Sequence, residues 1–79
     1  MSAFTLDRLS QGREVVIKRL LPDSLPFRQK LLAMGMTPGC KLTVMQIAPL
    51  GDPIEINLRG FLLCLRRHEA AAIEVEVVA

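Results

Sequence analysis

Residues 28–39 have the sequence RQKLLAMGMTPG, and this stretch decides how the chain folds. Apolar side chains recur at the i, i+4 and i+7 spacing of one helical face, at Phe27, Leu31 and Met34. Gly35 stands where a helix ends most easily, because glycine adopts a left-handed backbone without a steric penalty. Pro38 followed by Gly39 favours a type II turn. The stretch therefore predicts a short helix and then a tight turn into a strand.

The residues before this stretch predict where the helix begins and what precedes it. Asp23 or Ser24 can accept hydrogen bonds from the free amides of the first turn, and Pro26 is tolerated there. Further upstream, residues 14–18 (EVVIK) are rich in β-branched side chains and are bounded by glycine and proline, which indicates a strand. The helix is therefore expected between the first strand and the rest of the sheet.

Four further segments with strand character follow the turn, at residues 41–47, 54–58, 61–65 and 73–77. In the first of these, the apolar positions shift parity after Val44, which predicts a bulge. Arg59 and Gly60 can close a hairpin between the second and the third. Residues 61–65 are apolar on both faces, which indicates a central strand. The polar and then small residues of 66–71 suit a short helical turn.

These segments predict a mainly β fold, in which five short strands curl into a small barrel and one helix is inserted after the first strand. A chain of 79 residues is too short for two independent cores, so residues 1–79 are expected to form a single domain. Apolar residues make up 51% of the chain, more than so small a body can bury. This excess favours a homo-oligomer or docking onto another protein.

Hydropathy and charge indicate where in the cell the protein is located and which class of partner it binds. The longest apolar runs have four or five residues, whereas a membrane helix needs about 20, and the N-terminus lacks the features of a signal peptide. We therefore expect a cytoplasmic protein whose cysteines, Cys40 and Cys64, are free thiols. A net charge of +2 does not predict nucleic-acid binding, and aromatic residues for base stacking are scarce.

No arrangement of side chains indicates catalysis or a bound cofactor. Any catalytic triad would need His68, the single histidine, and the candidate nucleophiles stand in no motif that would expose them. Soft metal ligands are present, among them Cys40 and Cys64, but they lack the close spacing of a metal site. Phosphate-binding glycine motifs are missing from the sequence. We expect no enzyme and no resident metal or cofactor, with a direct metal-binding or metal-sensing module as the alternative function.

The stretch 28–39 closely resembles the helix-turn signature of the FeoA family, small cytosolic accessory proteins of bacterial ferrous-iron uptake. The resemblance continues through residues 48–54 (APLGDPI) and 65–70 (LRRHEA), in the same order and spacing, and covers nearly the whole chain from about residue 12. It implies an SH3-like β-barrel. It also implies a partner, the ferrous-iron permease FeoB, which such a protein would bind from the cytosolic side to modulate or assemble it. Contact with the membrane would come only through this permease.

Within this signature the inward apolar residues are expected to build the barrel, so only outward side chains can select a partner. We therefore expect partner binding at Arg28, Lys30, Leu32, Arg66 and Arg67. Leu32 lies about 100° from Leu31 around the helix, which allows it to be partly exposed. The alternative for Leu32 is packing at the flank of a wide apolar stripe.

Overall fold

The structure is a computed structural model that describes residues 3–78 of the chain. Within residues 3–78 the backbone forms six β-strands and two short α-helices. The strands are β1 (Ala3–Thr5), β2 (Glu14–Leu20), β3 (Lys41–Ile47), β4 (Ile54–Leu58), β5 (Phe61–Leu65) and β6 (Ile73–Val77), and the helices are α1 (Arg28–Ala33) and α2 (Arg67–Ala70). Two 3-10 helices, Leu6–Arg8 and Pro22–Phe27, precede β2 and α1.

All six strands belong to one antiparallel sheet with the order β1-β6-β2-β3-β4-β5. The mainly β class is confirmed, but the five-strand prediction missed β1, so the helix follows the second strand. Across residues 3–78, β1 pairs with β6 and β5 pairs with β4, and the two edge strands do not pair with each other. The sheet therefore does not close into the predicted barrel, and the outer edges of β1 and β5 are left without a partner strand in the described part of the chain.

The core lies on one face of this curled sheet. Each of β2, β3, β4, β5 and β6 contributes buried side chains, which include Val15, Ile17, Leu42, Val44, Ile54, Ile56, Leu58, Leu65, Ile73 and Val75. Leu31 from α1 and Leu6 from the first 3-10 helix complete the same cluster, and both are fully buried. Burial of this apolar surface is the main force that holds the strands and helices together.

The turn chemistry predicted from residues 28–39 is confirmed. Gly35 has a φ of +91°, and the N–H of Met36 donates to the carbonyl of Leu31 at 3.0 Å, which ends α1. Gly39 has a φ of +92°, and its N–H donates to the Ile17 carbonyl at 2.8 Å. The turn thereby returns the chain to β2. The bulge predicted in β3 is also confirmed, because the register with β4 shifts between Val44 and Gln46.

The predicted start of the helix is wrong. Residues Pro22–Phe27 form a 3-10 helix, and α1 begins after Phe27 without a side-chain cap. The break lies at Phe27, whose backbone has a φ of −129° and a ψ of 16° and is therefore not helical. Ser24 is fully buried and does not cap a helix, and its Oγ has no hydrogen-bond partner in the part of the chain that is described.

The prediction that residues 61–65 form a central strand is also wrong. β5 is the last strand of the sheet, with Phe61 70% and Leu62 59% exposed. Cys64 is exposed as well, whereas Cys40 is buried, and both are free thiols. An apolar run on both faces is typical of a covered strand, but strand order depends on distant pairings that the run does not encode.

A buried carboxylate joins the two helices. Glu69 is 4% exposed, and its Oε2 accepts a hydrogen bond from Lys30 Nζ at 2.7 Å. Its Oε1 accepts from the N–H of Arg66 at 2.9 Å, immediately before α2. Burial raises the pKa of this carboxyl, but the hydrogen bonds from Lys30 and Arg66 and the charge of Lys30 outweigh it, so the pKa lies below its ordinary value.

Replacement of the carboxylate in a Glu69→Gln variant is expected to lower the free energy of unfolding at pH 7 by about 1–2 kcal/mol. This estimate is for a charge-assisted hydrogen bond, reduced because Lys30 is half-exposed and screened by water. The folded pKa lies below the ordinary 4.5, so the stabilisation is present above that pH and is lost as the pH falls through the folded value. Urea unfolding of both proteins at pH 7 and in mild acid measures this difference.

The matched control is Glu74→Gln. In the wild type, the carboxylate of Glu74 pairs with the exposed Arg19 at the surface. That variant is expected to change the free energy of unfolding by less than about 1 kcal/mol. A stability difference between the wild type and Glu69→Gln that stays constant from neutral to acidic pH would contradict the assignment.

The unpaired hydroxyl of Ser24 generates a second prediction. A buried polar group without a partner costs about 1–3 kcal/mol, so Ser24→Ala is expected to leave the free energy of unfolding unchanged or to raise it. Thermal unfolding of Ser24→Ala and of the exposed control Ser10→Ala tests this. Destabilisation of Ser24→Ala by more than about 1 kcal/mol would mean that the hydroxyl has a partner in solution.

Candidate partner-binding surface

The three signature segments meet around α2. Lys30, from residues 28–39, bonds to Glu69, and Asp52, from residues 48–54, accepts a hydrogen bond from the N–H of Arg67 at 3.1 Å. The guanidinium of Arg67 lies over the same loop, since a Cβ added to Gly51 would be 3.0 Å from its Nη1. The loop that links β3 to β4 is therefore attached to the start of α2. Folding brings together segments that are separated in the sequence.

An aromatic contact also links the start of α1 to α2. The rings of Phe27 and His68 meet edge to face, with their centroids 5.4 Å apart and an angle of 82° between the planes. Phe27 is half-buried and packs against the core, while His68 is exposed. The single histidine of the chain therefore lies at the junction of α1 and α2, beside an aromatic ring.

Two of the predicted partner-binding residues share a flank of α1. Arg28 and Leu32 are one helical turn apart and both exposed, and Leu32 is 40% exposed, as its position next to Leu31 predicts. Lys30 lies about 160° around the helix from Leu32, on the flank that faces α2 through Glu69. The buried Leu31 separates the two flanks. Arg28 and Leu32 therefore form one group, which we call the α1 flank.

The other predicted residues gather at α2. Arg66 and Arg67 are exposed, and their main-chain N–H groups bond to Glu69 and Asp52. With Lys30 they form a basic group at the start of α2, which we call the α2 group. The charge of Lys30 in this group is paired with Glu69. The structure thus brings Lys30, Arg66 and Arg67 together, and it leaves Arg28 and Leu32 on the separate α1 flank.

A second feature of the surface is the number of exposed large apolar side chains. Beyond Leu32 they are Phe4, Leu25, Met45, Leu50, Phe61 and Leu62. Phe61 and Leu62 are adjacent on β5, a strand whose apolar run on both faces had indicated an interior position. Strand order was the missing information for Phe61, which lies on the inner face of the sheet and is exposed because β5 ends the sheet.

Cys40 has a more polar environment than an ordinary buried thiol. Its Sγ lies 3.1 Å from Thr37 Oγ1 and accepts a hydrogen bond from Arg59 Nη2 at 3.1 Å. The contact with Thr37 and the charge of Arg59 outweigh the effect of burial and hold the pKa of the thiol below its ordinary value. These contacts fasten the β4–β5 turn, which carries Arg59, to the turn before β3, beside a groove of about 340 Å³.

Residues 3–78 contain neither a cluster of metal ligands nor a membrane-spanning helix. No three histidine, cysteine, aspartate or glutamate side chains in this range lie together as the ligands of one metal ion. No helix in the same range has the length and apolar character needed to cross a membrane.

Comparison with known proteins assigns the family. The FeoA domain model matches residues 4–77. A curated relative from Porphyromonas gingivalis, the "Fe(2+) transport protein A/Fe(2+) transporter FeoB fusion protein", is 39% identical over 74 residues; the match covers 94% of this chain and 9% of the relative. This chain therefore spans about a tenth of that relative's length.

Solved structures of similar proteins support the same family assignment. The NMR structure of a FeoA-like protein from Clostridium acetobutylicum has a TM-score of 0.89 and 34% identity, covering 100% of this chain and 91% of the other. Iron(II) transport protein A from Clostridium thermocellum has a TM-score of 0.85 and 43% identity, covering 95% of this chain and 46% of the other. These likenesses confirm the SH3-like fold that the signature implied. Because the family model spans all but the two ends of a chain that also superposes on solved FeoA structures, this protein belongs to the FeoA family.

Proposed function

We propose that this chain is a cytoplasmic accessory protein of ferrous-iron uptake, which binds a FeoB-type permease on its cytosolic side. It acts by protein contact, modulating or assembling the permease, and it catalyses no reaction. The observation that carries the proposal is the Porphyromonas gingivalis relative, whose name joins Fe(2+) transport protein A and the transporter FeoB in one fusion protein. Covalent linkage raises the local concentration of one module near the other, which suits two modules that work in contact.

The surface supports this proposal with the residue types that interfaces use. Arginine and large apolar side chains are enriched where proteins meet. The α1 flank offers exposed Arg28 beside the partly exposed Leu32, and the α2 group offers the exposed side chains of Arg66 and Arg67. Lys30 is a weaker candidate for direct contact, because its ammonium is already paired with Glu69.

Charge reversal on the two groups tests the proposal. Leu32→Glu and Arg66→Glu are each expected to weaken binding to the full-length permease in lipid nanodiscs by about tenfold, as loss of a central interface residue does. The reason is the loss of an apolar contact in the first variant and of a cationic contact in the second. Biolayer interferometry measures the affinity, and circular dichroism checks that both variants remain folded.

Lys18→Glu is the matched control, since Lys18 is an exposed cation on β2, outside both groups. Its affinity is expected to stay within about twofold of the wild type. Unfolding of Leu32→Glu would show that this side chain belongs to the core. Absence of any binding by the wild-type chain would refute the proposed function.

A further inference from the structure

The edge strand β5 carries none of the features by which proteins usually protect a free sheet edge. Charged residues, proline, bulges and very short strands are the common protections. β5 has five residues, all of them apolar, and its register with β4 runs without a shift from Leu58↔Phe61 to Ile54↔Leu65. The opposite edge, β1, has three residues. An unprotected apolar edge on a small protein indicates that something covers it.

The hairpin geometry shows which main-chain groups this edge offers. Arg59 and Gly60 form a two-residue turn, with φ values of 54° and 87°, as in a type I′ turn. Phe61 therefore exchanges its main-chain hydrogen bonds with Leu58, and every second residue along β5 bonds to β4 in the same way. The N–H and carbonyl groups of Leu62 and Cys64 point away from β4. No strand within residues 3–78 pairs with them on that side, so they can pair with one further strand.

The side chains at this edge suit an apolar extended segment. Phe61 and Leu63 follow the inner face of the sheet, because their partners on β4 are the buried Leu58 and Ile56. Phe61 is nevertheless 70% exposed and Leu63 only partly buried, since no strand within residues 3–78 continues the sheet beyond them. An added strand would cover both side chains with its own apolar residues.

The positive charge around β5 indicates whether a second copy of this chain or a different protein occupies the edge. Residues 59–68 contain three arginines and no aspartate or glutamate. An antiparallel pair of β5 strands centred on Leu63 would bring Arg66 and Arg67 of each copy next to the turn that holds Arg59 of the other. A parallel pair in register would set each arginine beside the same arginine of the second copy. Like charges opposite each other destabilise a strand pair, so self-pairing is disfavoured.

Carboxylates on the neighbouring residues offset only part of this positive charge. Asp52 bonds to the N–H of Arg67, and Glu69 is buried against Lys30. Glu55 lies opposite Cys64 on β4, near the middle of the strand rather than at its ends. The charge pattern therefore favours an acidic residue at the end of the occupant that lies beside α2, and apolar residues over the rest, since Arg59 at the other end bonds to Cys40.

We propose that β5 is a docking edge for an extended segment of the partner protein, with alternating apolar residues and a carboxylate at the end beside Arg66 and Arg67, which adds to the sheet as a seventh strand. This inference rests on the proposed function, because it takes that segment to belong to the permease. Main-chain pairing at Leu62 and Cys64 provides affinity, and the flanking arginines set the register.

Hydrogen exchange on the unmodified chain, bound to the full-length permease in nanodiscs, tests the strand addition directly. Deuterium uptake in peptides covering residues 61–65 is expected to slow by at least about tenfold on binding, because the free amides of Leu62 and Cys64 become hydrogen-bonded. Uptake across the interior strand β2 is expected to stay the same.

Two lysine variants separate docking at the edge from docking on the sheet face. Leu62→Lys places a charge on the edge strand and is expected to weaken binding by about tenfold. Met45→Lys is the matched control, because Met45 is also an exposed apolar residue of the sheet but lies on the interior strand β3. It is expected to change affinity by less than about twofold. Cys64→Lys, at a second exposed edge position, replaces Leu62→Lys if that variant does not fold.

The outcomes distinguish this inference from the function on which it rests. Binding without slower exchange at residues 61–65, or equal weakening by Met45→Lys and Leu62→Lys, would overturn the docking edge and leave the proposed function in place. Slow exchange at residues 61–65 in the free chain, together with self-association in analytical ultracentrifugation, would show that a second copy covers the edge. Absence of binding would refute both.

Discussion

The basic group at the start of α2 depends on the buried carboxylate of Glu69. Its two oxygens accept from the main chain of Arg66 and from the ammonium of Lys30, so one side chain joins the start of α2 to α1. The helices have six and four residues, and isolated helices of that length are unstable in water. Their positions must therefore come from contacts with the core and with each other. The ion pair is the charged part of that contact.

A second constraint comes from the sheet. Six short strands curl around one core, and among residues 3–78 the two edge strands do not meet, so the sheet keeps two open edges. The three-residue β1 offers little for another strand to pair with, whereas β5 is longer and wholly apolar. Stability and solubility would favour polar residues on β5. β5 has none of them, and the same strand supplies Leu65 to the core.

Signals within a few residues of one another were predictable from the sequence. Gly35, Gly39 and the bulge after Val44 were located correctly, because backbone strain and side-chain parity are local properties. Long-range features were not predictable. Lys30 and Glu69 are 39 positions apart, and nothing in either segment indicates that the two charges meet. The edge position of β5 was missed for the same reason, since it depends on the order of all the strands.

The two kinds of contact around α2 explain why a family signature specifies the fold more strongly than the partner. Arg66 and Arg67 support the fold through their main-chain N–H groups, which any residue other than proline provides, so their side chains are available for recognition. Lys30 and Glu69 support it through their side chains, so substitution there changes the fold and the surface together. A motif match does not separate these two roles. To separate them, one must know whether a main-chain or a side-chain atom donates each hydrogen bond. On that criterion the exposed arginine side chains are better probes of the partner than Lys30 is.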